Sequence, residues 1–196
     1  MSDYLFDTSR YPTGLGSLIP ECDACPIGPG HANGEVLAAL EALDLDQAFM
    51  PRRIVDRDML RACHAGLWLI HNFLDESHHI SQDLKNPTGS FWHAIMHRRE
   101  GDFSNAKYWF RQTGEHPVLK ELGSDVVEIV GEAPSERSSL LDDSGSLDPF
   151  ALVDWCSAAT RGDDTQQQAL CRLTRREWER LFDWCFRQAT ADSFNP

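Results

Sequence analysis

The stretch from His64 to Glu100, HAGLWLIHNFLDESHHISQDLKNPTGSFWHAIMHRRE, holds six of the chain's eight histidines. Read at about 100° per residue, Val55 to Leu84 forms one helix on which His64, Trp68, His71, Asp75, His78 and Gln82 fall within about 40° of a single line. Asp58, Arg61, Asn72, Glu76, His79 and Asp83 make a separate polar arc, and Ile70, Phe73, Leu74, Ile80 and Leu84 make an apolar one. A helix with a hydrated face, an oily face and a third face of imidazoles and carboxylates is expected to line a pocket with the third.

Asn86-Pro87-Thr88-Gly89 ends that helix, because proline lacks a backbone donor and disfavours helical geometry at the residue before it. A short helix from Ser90 to Arg99 is expected next. His71, Asp75 and His78 are spaced i, i+4 and i+7, and His93, His97 and Glu100 repeat the spacing. Two such helices in an antiparallel hairpin can converge on one cation, as inward-facing Glu and His residues do in metal-bearing bundles. His71, His78, His93 and His97 are therefore the candidate metal ligands, with Asp75 or Glu100 as a carboxylate ligand or general base. Mixed nitrogen and oxygen donors suit a divalent transition metal, and the pattern does not choose among zinc, manganese, iron and nickel. His93-x-x-x-His97 lacks the glutamate of the zinc-protease helix, since Ala94 follows His93. Two other readings stay open: a metal-free acid/base pocket, since imidazole titrates near neutrality, and a hydrogen-bonded structural core.

Downstream, a helix over Ser104–Thr113 places Asn105, Tyr108 and Trp109 on one side, with Gly114 as its stop and Pro117 beyond. Trp109 and Phe110 read as core. Trp68, Arg98, Arg99, Asn105 and Tyr108 are the candidates to position a small polar or anionic ligand, the arginines through bidentate contacts. Salt pairing competes for at least one arginine. The run FWHAIMHRRE (91–100), with NAKYWFR (105–111) and His116-Pro117, resembles a group of bacterial and fungal hypothetical proteins sharing a WHAIMHRRE, NAKYWFR and HP pattern. The resemblance spans roughly residues 64 to 117 and implies no reaction.

Outside this region, residues 1–32 carry four prolines and four glycines, which predicts an irregular arm lying over the helical domain of residues 33–196. Asn33 is a candidate N-cap for a helix through Val36, Leu37, Leu40 and Leu43, ending before Pro51. Pro117–Val130 suits a helix better than a strand, 131–147 reads as a surface loop, and helices are expected over Asp148–Thr160 and Thr165–Ala189. The fold class is all-α, a single-domain helical bundle.

A net charge of −13 argues against nucleic acid as the main ligand, because phosphate contacts need a basic face. No apolar run reaches the roughly 20 residues of a membrane span, and Met1–Arg10 has no secretory signal pattern. A cytoplasmic setting is expected. Cys63, Cys156, Cys171 and Cys185 read as small buried hydrophobes. Cys22-x-x-Cys25 is a single pair flanked by prolines, short of the two pairs of a structural zinc site. The functional expectation is an enzyme-like protein, a metal-dependent hydrolase or lyase acting on a small metabolite, or else a non-catalytic binding module with a structural histidine network.

Overall fold

A computed structural model describes residues 4–130, 139–159 and 164–190. Ten α-helices form among them, with one short 3-10 turn at Thr8–Arg10 and no sheet. They are α1 (Thr13–Gly16), α2 (Leu37–Glu41), α3 (Leu45–Ala48), α4 (Arg57–Ile70), α5 (Leu74–Ser81), α6 (Pro87–Glu100), α7 (Phe103–Thr113), α8 (Pro117–Val130), α9 (Pro149–Ala159) and α10 (Asp164–Thr190). The all-α expectation holds. Of the loop expected over 131–147, residues 131–138 lie outside the described residues, as does the end of the helix expected to reach Thr160.

The long C-terminal helix α10 organises the core by packing against α4 and α8, while α6 packs against α4, α5 and α7. Leu170, Leu173, Trp178, Leu181, Phe182, Cys185 and Phe186 of α10 are buried together with Leu60, Cys63, Leu67, Phe91 and Trp92. The Trp178 indole donates to the Gly66 carbonyl at 2.8 Å, which ties α10 to α4 through a buried polar group. No described helix is long and apolar enough to cross a membrane.

The single helix expected over Val55–Leu84 is two helices. Asp56 caps α4, its carboxylate accepting from the backbone N–H of Asp58 and Met59. The helix ends at Ile70, and Asn72 takes the left-handed conformation at φ 67°, one that asparagine tolerates better than most residues. The break parts the stripe seen in sequence: His64 and Trp68 stay on α4, and Asp75 and His78 move to α5. The helix expected from Ser90 begins earlier, at Pro87, because Asn86 accepts from the Gly89 N–H at 2.8 Å and Pro87 takes the first helical position. Gly89 is needed there, since a Cβ would stand 2.3 Å from Leu84 Cβ and 2.5 Å from its carbonyl.

Residues 4–32 are largely irregular, as expected, and are pinned at many points. The Tyr11 hydroxyl donates to Asp183 at 2.9 Å, Leu15 and Ile19 are buried in the core, and the Cys25 N–H bonds the Cys171 carbonyl at 3.0 Å. Asn33 turns the chain with its Oδ1 accepting from the Glu35 N–H, and helix begins only at Leu37.

Candidate metal centre

α5 and α6 pack against each other across the expected break, and His78 meets His93 and His97. Ring atoms of these three residues, one ligand atom each, lie within 4.8 Å of one another. His93 and His97, four residues apart on one face of α6, stack with centroids 4.7 Å apart and planes 17° from parallel. His78 meets both edge-on, at 4.6 Å from His93 and 5.4 Å from His97. Gly101, at φ 90°, closes α6 with a left-handed cap, and Asp102 opens α7 by accepting from the Asn105 N–H. This reversal lays the Trp109 indole flat on the outer face of His93, 4.1 Å between centroids and 18° from parallel. Trp109, expected as plain core, thus forms a wall of the site. Its place becomes visible only once α7 folds back on α6.

The electrostatics favour lone pairs. His93 and His97 are almost fully buried, and neither ring nitrogen of His93 has a hydrogen-bond partner among the described residues; nor does Nδ1 of His97. Burial, reinforced by the neighbouring His97 and His78, lowers the His93 pKa to about 3. His97 is lowered by burial too, against the opposing pull of Glu100. Both rings are accordingly neutral at pH 7, the form that ligates a metal. Three nitrogens on a tetrahedral zinc at about 2.0–2.1 Å would stand about 3.4 Å apart, so the stacked His93 and His97 rings would have to turn toward a common point to close the set.

The other sequence candidates lie elsewhere. His71 is not brought to the centre: it caps α4, its Nε2–H donates to the Leu18 carbonyl at 2.7 Å, and its Nδ1 faces the Asn33 amide at 3.5 Å. Both nitrogens hold the arm, so no lone pair is left for a metal. Trp68 donates to His64 Nε2 at 2.8 Å on α4. Asp75 is exposed and stands outside the group, its carbonyl accepting from His79. Glu100 is close, with Oε2 3.4 Å from His97 Nδ1.

The two arginines face inward and away from ligand. Arg98 is fully buried in a bidentate pair with Glu177 of α10. Burial alone would lower its pKa, and the Glu177 carboxylate more than reverses this. Arg99 donates to the carbonyls of Gly28, Pro29 and Leu69 and to Asn72 Oδ1, with burial lowering its pKa to about 10. Both guanidinia are buried and held by internal partners rather than turned toward the three imidazoles. Salt pairing, expected for at least one of them, is seen for Arg98, with Glu177 as its partner rather than a nearby acid. Asn105 contacts Asp102, and Tyr108 is half exposed beside Trp109.

No protein-family model, curated protein or solved structure matches this chain. The functional argument therefore rests on the geometry of the three imidazoles.

Proposed function

We propose that His78, His93 and His97 bind a divalent transition metal, with zinc the best fit, and leave a fourth position for water or a small polar substrate. The observation that carries this reading is His93, a buried imidazole with neither nitrogen partnered among the described residues. Such a group costs about 1–3 kcal/mol when left unsatisfied, and a bound metal would take up the lone pair of one of its two nitrogens. An all-imidazole set suits zinc, copper, nickel or cobalt better than the oxygen-seeking magnesium or calcium.

Three histidines with an open position support hydrolytic or lyase chemistry, in which the metal polarises a water or a substrate oxygen. Because Arg98 and Arg99 are committed to internal partners, a small polar substrate fits better than a strongly anionic one. Six free cysteines support a cytoplasmic setting, and the charge of −13 supports a partner other than nucleic acid.

The hydrogen-bonded histidine network has less support, because the rings stack and meet edge-on without sharing a hydrogen bond. Elemental analysis of protein purified without a metal-affinity column tests the proposal. The expected result is near-stoichiometric metal that disappears in a His93→Ala/His97→Ala variant. Metal-free protein that also fails to take up added zinc would favour the network reading.

A further inference from the structure

We infer that Glu100 is a positioning residue of the centre: its carboxylate accepts the Nδ1 proton of His97 and so presents the Nε2 lone pair of that ring to the metal. The inference rests on the metal reading above. Its first support is proximity, since Glu100 Oε2 stands 3.4 Å from a buried Nδ1 that has no hydrogen-bond partner among the described residues. A small rotation of the half-exposed carboxylate makes the bond. Metal-bound histidines characteristically give their other N–H to such an acceptor, which fixes the tautomer and raises the basicity of the ring.

Elimination is the second support. Asp102 also acts on His97, yet its oxygens already accept from the Asn105 N–H, the Ser104 hydroxyl and the Asn105 amide. Among the described residues Glu100 makes no other ion pair or hydrogen bond, and His97 is the one ring of the three with a carboxylate at this range.

Helix position is the third. Glu100 is the last residue of α6, where the carbonyl end of the helix disfavours an anion. Two cationic side chains, Arg98 and Arg99, precede it in the last turn as the helix dipole prefers. An acidic residue is out of place at this end unless it faces positive charge, and a metal-bound imidazole supplies that charge.

The test is zinc uptake by the full chain in competition with a chromophoric chelator, comparing the parent with Glu100→Ala and Glu100→Gln. Glu100→Ala is expected to weaken zinc binding tenfold or more. Glu100→Gln should recover most of the loss, because its amide oxygen still accepts the proton. The melting temperature of the metal-free protein should be the same for all three. Unchanged affinity in Glu100→Ala beside a parent that binds zinc would overturn the Glu100 assignment and leave the centre standing. A glutamine variant as weak as alanine would overturn the hydrogen-bonding role. A parent that takes up no zinc would overturn the metal centre itself, and this inference with it.

Discussion

Two faces of α6 treat buried polar groups in opposite ways. On one, Arg98 and Arg99 are buried against internal partners, Arg98 paired with a carboxylate from α10 and Arg99 with three carbonyls and an amide oxygen. On the other, His93 and His97 are buried with three ring nitrogens that have no hydrogen-bond partner among the described residues. Polar groups that hold a fold together come with partners, since each missing hydrogen bond subtracts from a small net stability. The unpartnered His93 ring is where the proposed ligand would be held.

The sharpest way to break that contrast is on the arginine face. Glu177→Ala strands a buried guanidinium and should cost about 3–5 kcal/mol in urea unfolding; a loss below about 1 kcal/mol would mean that the pair does not hold α6 to α10. Arg99→Met comes next. It removes the ties to Gly28 and Pro29, with an expected loss of about 2 kcal/mol and faster proteolysis within residues 20–31, and equal proteolysis in both proteins would refute the tie.

His71→Ala provides the histidine counterpart of those arginines. It should cost about 1–2 kcal/mol and leave zinc affinity unchanged, whereas weakened zinc binding would extend the centre to His71. Least costly is His93→Phe, which should abolish metal binding yet change metal-free stability at pH 7 by less than about 1 kcal/mol, because an unsatisfied ring is exchanged for an apolar one.

Acid sharpens the same contrast. His93 is held at about 3, and burial holds His64 and His116 at about 4. The ordinary imidazole value is about 6.5, so between these limits the unfolded chain binds more protons than the folded one. These rings therefore leave stability flat above about pH 6.5 and lower it as the pH falls toward their folded values. Denaturant unfolding of metal-free protein from pH 7 to pH 5 should show that decline, and a shallower one in His93→Phe. A parent whose stability stays constant over this range would contradict the buried, neutral rings.

Much of the centre could be read before any coordinates. The i, i+4 pair His93 and His97, the hairpin break at Asn86–Gly89 and His78 across it follow from periodicity and the chemistry of proline and glycine. The reading went astray at His71, because a 100° spacing assumes an unbroken helix and nothing in the apolar pattern marks Asn72 as a left-handed residue. Arg98 was illegible for a different reason. Its partner Glu177 is 79 positions away in the chain. Local patterns specify what a segment offers, while tertiary packing decides which offers are taken up.

The indole of Trp109 lies flat against a ring of the centre, the one tryptophan among the described residues to touch any of the three histidines. An emitter placed there senses the ring's electronic state directly. Under the proposed metal reading, a quenching ion such as copper should dim its share of the emission from the chain's six tryptophans, and a closed-shell ion such as zinc should shift it.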